Sequence, residues 1–496
     1  MTLVPPGTPG STAPTAGSSS ADGHRRVLAQ IDVACRFPVI LLFSGALLWL
    51  AVGTALALVS FVELHAGEVL ANCAWLAYGR VRPAAWNSVI YGFASQAGLG
   101  VALWIICRLG RVSLVGAAAS GTAALFWNLG VCVGVIGILA GYSTGLEGLE
   151  MPGYVGPILF LAYLPIAVGA LVTFHARQER GLYVSHWFLL AGLFWFPWIY
   201  STAHLLLVCK PVRGAAQIVI NGWFLNNLRE LWLTPLGLAA VFYFLPKLVQ
   251  RPLHSRYLAM FTFWLLVLSG SWGGLSIGLP LPRWITALST AASLGMLLPV
   301  LAVAVNCYRT WRAGACAKPC SPALSFILGG TASYVLAGFL RAADAFAPVH
   351  DITRLTCFAE AYGLLTSFGF VTMVFAGAIY LVLPRLTRQG WAAPALVKAH
   401  WLLTIFGLAL GTLALAVGGV LQGLALNDPA VAFDQVSRTT APFLRAASLA
   451  VLLLALGHVA FLYNLSWTLI RWLRCAVPMR ALLVAESEPA TGGVNS

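Results

Sequence analysis

Four polar residues interrupt an otherwise apolar stretch at residues 221–247, NGWFLNNLRELWLTPLGLAAVFYFLPK: Asn226, Asn227, Arg229 and Glu230. Two amides, a guanidinium and a carboxylate can hold an ion, relay a proton, or pair with charges on other helices. An ionisable group at membrane depth costs about 2.5–3.5 kcal/mol even on insertion scales, so such groups face partners or a protein interior and mark function. Arg229 and Glu230 are adjacent, hence about 100° apart on a helix, and cannot neutralise each other side by side. Their partners must come from other helices. A second carboxylate, Glu360, opens a later apolar run. The simplest pairing sets Glu230 against an arginine elsewhere and Arg229 against Glu360.

The elements that must position these groups are membrane helices. The chain has 496 residues, 60% hydrophobic and 9% charged, where soluble domains carry about 25% charged residues. Apolar runs long enough for about 30 Å of hydrocarbon fall near residues 38–63, 86–108, 113–141, 155–175, 184–208, 217–245, 257–277, 284–307, 323–344, 357–384, 398–424 and 443–471. The expected fold is an all-α polytopic membrane protein of about twelve spans joined by short loops. Residues 1–30, rich in Gly, Pro, Ser and Thr towards the N-terminus, are expected to be a disordered cytoplasmic arm. Residues 31–475 form the membrane domain and residues 476–496 a cytoplasmic tail. No internal repeat is visible, and no cleavable signal precedes the first full-length span.

The net charge of +14 does not indicate nucleic acid, because the basic residues lie in loops between spans. Alternate segments starting with the N-terminal one hold 19 of the 29 Lys and Arg, against 9 in the other set. That bias places both termini in the cytoplasm. Cys316 and Cys320 form a lone C-x3-C, a weak metal signal without a second pair. Arg80 and Arg82 are expected in loop structure before the second span.

Several stretches together carry a resemblance. They are WLAYGRVRPAAWNSVIYGF at 75–93, NNLRELWLTPLGLAAVFYFLPKLVQRPLHSRYLAMFTFW at 226–264, GAIYLVLPRL at 377–386 and APFLRAASLAVLLLALGHVAFLYNL at 441–465. In this order, over nearly the whole spanning region, they resemble the catalytic subunit I of haem-copper oxidases, most closely the cbb-type cytochrome c oxidase. The resemblance implies twelve helices in the subunit I arrangement, in a bacterial inner membrane. It implies haem b and copper as the family's cofactors, and other respiratory subunits, such as a membrane-anchored cytochrome c, as partners.

The family chemistry uses six histidines, since haem iron and copper take neutral imidazole. The resemblance assigns their positions here to Ala85 on the second span, Asn226 on the sixth, Gly273 and Gly274 on the seventh, and Ala359 and Ala361 on the tenth. An alternative register for the tenth gives Tyr362 and Leu364. None is histidine, and the family's active-site tyrosine falls on Val267. Arg445 matches the arginine expected beside haem propionates. Glu230, one turn after Asn226 on the same face, is similar to the cavity glutamate of the related nitric oxide reductases. Of nine histidines, only His204 and His458 lie clearly inside spans, and displaced haem ligation would need both to face one cavity. The volume released by small residues must be refilled by bulky neighbours such as Trp223, Trp232 and Trp272, or by lipid or water.

No cofactor is therefore expected. The reading is a redox-silent, oxidase-like subunit serving as scaffold or partner in a respiratory complex. One alternative is an active oxidase or nitric oxide reductase with displaced ligands. Another is a proton or ion pathway through the emptied cavity, using Asn226, Asn227, Arg229, Glu230 and Glu360.

Overall fold

The computed structural model describes residues 16–487 apart from 69, 71, 276–278 and 315–320. The Cys316 and Cys320 pair lies outside the described residues. Backbone N–H and C=O groups have no water to bond inside a bilayer, so apolar runs of this length satisfy them internally as helices. Twelve helices result: α1 (Ala16–Ala66), α2 (Tyr78–Gly110), α3 (Ala117–Ala140), α4 (Val155–His175), α5 (Val184–Cys209), α6 (Ala215–Val249), α7 (Arg256–Gly270), α8 (Arg283–Gly314), α9 (Pro322–Asp344), α10 (Phe358–Thr387), α11 (Pro394–Leu426) and α12 (Phe433–Ser487). Among the described residues, eleven of these are long and apolar enough to cross a membrane.

The exception is α7. The sequence suggested a full span at 257–277, but the helix is 15 residues, about 22 Å long. It ends at Gly270, and the chain turns through Ser271 and Trp272 into a non-helical stretch at Gly273 and Gly274. Two other boundaries differ from expectation. Residues 16–30, expected as an unfolded arm, continue α1, and α12 runs past residue 475 to Ser487.

Three helices form the centre. The most apolar 18-residue windows of α2, α6 and α10 are 100%, 89% and 83% buried, whereas every other spanning helix is at most half buried. These three also share a plan that no sequence repeat announces. Each contains a π-helical turn: Ser88–Ala94 in α2, Leu228–Leu233 in α6 and Leu365–Thr372 in α10. Each then continues as regular helix to a basic residue in its last turn (Arg108, Lys247, Arg385). The cations lie where the helix dipoles are negative. Each closes on a left-handed residue, Arg111, Gln250 or Arg388, the usual helix stop though normally glycine. At that end Asp32 of α1 bonds Arg108 at 3.2 Å and accepts from Trp104 Nε1 at 3.0 Å.

π-turns are rare and cluster at functional sites. Apart from a further one that ends α5 (Leu205–Cys209), the three lie in the halves of α2, α6 and α10 nearer the end of the bundle opposite the N-terminus. What they surround is the site.

Candidate functional site: a polar cavity ringed by three π-turns

A cavity of about 530 Å³ opens among the N-terminal halves of α2, α6 and α10, closed at its sides by α1, α8 and α9. Val89 and Ile90, Arg229, and Ser367 and Phe368 line it from the three π-turns. Arg229 stands at the start of its π-turn and reaches the cavity wall from there.

At the deep end stands an ion pair that the sequence half anticipated. Glu230, 5% exposed, pairs with Arg341 near the end of α9. The same guanidinium donates from Nη2 to Asn226 Oδ1 at 2.6 Å. Asn226 in turn donates from Nδ2 to the Gly270 carbonyl at 2.5 Å, which fixes the end of α7. Asn227 points elsewhere, donating to the Trp223 carbonyl at 2.7 Å.

The other half of the expected pairing is corrected. Glu360 does not meet Arg229; it pairs with Arg82, at the half-exposed cavity mouth. Arg82 and Arg80 are not in a loop but in the first turns of α2, and Arg80 donates to the Leu139 carbonyl at 3.1 Å. The Arg229 guanidinium lies over the Tyr362 ring, 5.0 Å from its centre, a cation–π contact. Asp344 and His350 complete the rim, 3.5 Å apart. On the loop after α3, Glu150 is 7% exposed and accepts from Asn87 Nδ2 at 2.9 Å. Burial pushes its carboxyl above the ordinary value, against the hydrogen bonds that lower it.

The residues assigned to ligand roles by resemblance divide into two groups. Asn226 and Gly273 meet at the Arg341 guanidinium, and Gly274 packs on Asn226. A Cβ on residue 273 would lie 2.6 Å from Arg341 Nη2, and one on residue 274 would lie 2.6 Å from Asn226 Cβ. Gly274 also has φ +95°, a conformation that favours glycine. These residues do not fit a copper ion: none offers an imidazole or thiolate, a guanidinium stands beside Asn226 and Gly273, and residue 274 has a backbone conformation strained for any side chain. Ala85 and Ala359 line the cavity, as do Tyr362 and Leu364 of the alternative register, whereas Ala361 is fully buried away from it. None supplies a ring nitrogen or thiolate for haem iron. Among the described residues no three His, Cys, Asp or Glu side chains gather as a metal site.

His204 and His458 do not share a cavity. His204 stacks on Tyr200 and bonds the Gly153 carbonyl from Nε2 at 3.1 Å. His458 bonds Thr54 Oγ1 through Nδ1 at 2.9 Å and packs against His400, ring centres 5.6 Å apart. His400, expected at a span end, is fully buried inside α11 and bonds Tyr380 at 2.8 Å. Arg445 is exposed on α12 and does not line the cavity. The tryptophans expected to refill the space lie outside it too. Trp232 packs on Phe196, Trp223 on Trp198, and Trp272 is exposed. Arg341 takes the deep end of the space, and the rest stays open.

Sequence reasoning missed Arg341, which it counted as a loop charge. The available signal was a lone arginine at the end of an apolar run, 111 residues from the carboxylate it meets.

Comparison with known proteins gives a consistent placement. Residues 38–472 match the family model for cytochrome c and quinol oxidase polypeptide I. The cbb3-type cytochrome c oxidase subunit CcoN1 of Stutzerimonas stutzeri is 24% identical over 397 residues, covering 77% of this chain and 83% of that protein. The bacteroid cytochrome c oxidase subunit 1 homolog of Bradyrhizobium diazoefficiens is 24% identical over 450 residues, covering 86% and 80%. A cryo-EM structure of a haem-copper terminal oxidase dimer superposes with TM-score 0.63 at 14% identity, covering 88% of this chain and 84% of that one, which supports the fold alone. With the family match reaching from the first crossing into the last, this chain belongs to the cytochrome c and quinol oxidase polypeptide I family.

Proposed function

We propose that this chain is a redox-silent member of its family, an integral membrane subunit that keeps the oxidase fold and serves as scaffold or docking partner for other respiratory subunits. A membrane-anchored cytochrome c is one such partner. A fold does not carry its chemistry when the site residues differ. The observation that supports the reading is Arg341, whose guanidinium stands beside Asn226 and Gly273 and is neutralised there by Glu230. A copper ion and a guanidinium are both cations, and one site does not hold both. The excess of Lys and Arg in the N-terminal set of segments supports both termini in the cytoplasm of a bacterial inner membrane.

An ion pathway is less well supported, because the polar space ends. Beyond the Glu230–Arg341 pair there is a 30 Å³ space lined by Thr234, Tyr334, Thr366 and Phe370. From Leu236 to Leu245, α6 is then fully buried, about 14 Å of helix whose own side chains are apolar except Tyr243, with the Ser185 and Tyr183 hydroxyls held on its Ala239 and Phe242 carbonyls.

The test is oxygen and nitric oxide consumption by the purified chain supplied with a reduced cytochrome c, together with identification of proteins that co-purify from its native membrane. No turnover and a reproducible respiratory partner are expected. Turnover by the isolated chain would overturn the proposal.

A further inference from the structure

The 530 Å³ cavity is within the range of small-molecule sites, about 300–1,000 Å³, and one of the three guanidiniums that line it has no carboxylate partner among the described residues. Arg82 is matched by Glu360 and Arg341 by Glu230, while Asp344 lies 3.5 Å from His350 Nδ1. Glu150 is buried and engaged by the Asn87 amide, which donates to it at 2.9 Å. Glu147 is at the exposed rim, where water and salt screen it. Arg229 remains. Among the described residues it reaches no carboxylate; it faces the cavity with its guanidinium over the Tyr362 ring. It stands 14 residues into α6, about 21 Å along the helix axis, at a depth where an uncompensated cation is costly. The wall beside it is apolar and aromatic: Trp86, Val89, Phe358, Leu364 and Phe368.

We propose that this cavity binds an amphiphile with an acidic headgroup, its anion paired with Arg229 and its apolar body laid along the Trp86–Phe358–Phe368 wall. The cation, the aromatic face holding it and the adjoining apolar wall together define that class. A neutral ligand would leave the cation unmatched, and a small hydrophilic anion would leave the wall wet. The size favours a single acyl chain over a whole diacyl lipid. The inference rests on the reading that haem does not occupy this space.

The experiment uses the full chain, purified into nanodiscs of zwitterionic lipid, with radiolabelled palmitate as probe and palmitoyl methyl ester as the uncharged control. Saturable binding of palmitate near one per chain is expected, with no saturable binding of the ester. Arg229→Gln should weaken palmitate binding by about tenfold or more, the cost of removing one partner of a shielded charge pair. Arg229→Lys should restore most of it. Ala85→Trp keeps the arginine and fills the cavity, so it should abolish binding without touching the charge. Competition by lysophosphatidylglycerol would identify a phosphate headgroup from membrane lipid as the natural source, and its absence would identify a free carboxylate. Palmitate binding unchanged in both Arg229→Gln and Ala85→Trp would overturn the inference. An absorption spectrum on the same samples separates the two readings. Stoichiometric haem would overturn the redox-silent reading, whereas no haem and no saturable palmitate would overturn only this one.

Discussion

Arg341 packs directly on residue 273: a Cβ on Gly273 would stand 2.6 Å from the arginine's Nη2, which would have to move to admit it. Backbone conformation, glycine choice and ion pair at this point are therefore one design. Gly273→Ala is expected to push the guanidinium away from Asn226 and weaken the contact with Glu230. Gly273→His should destabilise further and should not create a copper site by itself. Thermal melting of the purified variants, with copper titration of the histidine variant, checks both statements.

The Glu230–Arg341 pair is shielded, with side-chain exposures of 6% and 15%. Removing one partner of such a pair leaves a buried charge and costs about 3–5 kcal/mol. Arg341→Gln should therefore lower the melting temperature strongly. The double variant Arg341→Met with Glu230→Leu removes both charges and should recover much of the loss. A double variant no more stable than either single one would show that the pair is not the source of the effect.

Arg82–Glu360 provides the contrast. Its side chains are 49% and 32% exposed, and exposed pairs contribute about 0–1 kcal/mol. Arg82→Gln should leave the melting temperature nearly unchanged, in the same assay and at the same salt. A loss comparable to that of Arg341→Gln would mean that the mouth is closed in the membrane.

Much of this arrangement was legible in the sequence, and what was not has physical reasons. The spans follow from apolar length, and Asn226 and Glu230 share a wall because four residues make about one helical turn. Arg341 was not legible as a partner, since hydropathy treats a charge at the end of an apolar run as loop. The pairing of Glu360 with Arg82 rather than Arg229 is a matter of how the helices pack, with Arg82 of α2 at the cavity mouth and Arg229 over the Tyr362 ring, and leaves no mark in composition. The short α7 was hidden because the apolar run continues past Gly270 although the helix does not. His400 resembled an end residue only because α11 begins at Pro394, ahead of the apolar run.

Glu150 supplies a pH signature. Burial raises its carboxyl above the ordinary value of 4.5. A group whose folded-state value is raised contributes stability that is complete below the unfolded value and is lost as pH rises through the folded one. The wild type should therefore lose melting temperature from about pH 4.5 upward through that raised value. Glu150→Gln, which imitates the protonated form and can still bond Asn87 through its carbonyl, should flatten that part of the profile. An unchanged slope in the variant would assign the pH dependence to another group.

The seal along α6 predicts that liposomes containing the chain are no more proton-permeable than empty ones, and that Glu230→Gln changes nothing. A proton conductance that disappears in Glu230→Gln would show that the 30 Å³ space beyond the ion pair connects to the far side.

The most direct test of the central claim is the haem and copper content of the purified chain, expressed with haem synthesis and copper supply intact. It is read by the pyridine haemochrome spectrum and by metal analysis. With Arg341 beside Asn226 and Gly273, and alanine at 85, 359 and 361, neither haem nor copper is expected at a stoichiometric level. One or more haems per chain, or one copper, would contradict the account and send attention to His400, His458 and His204 as ligands.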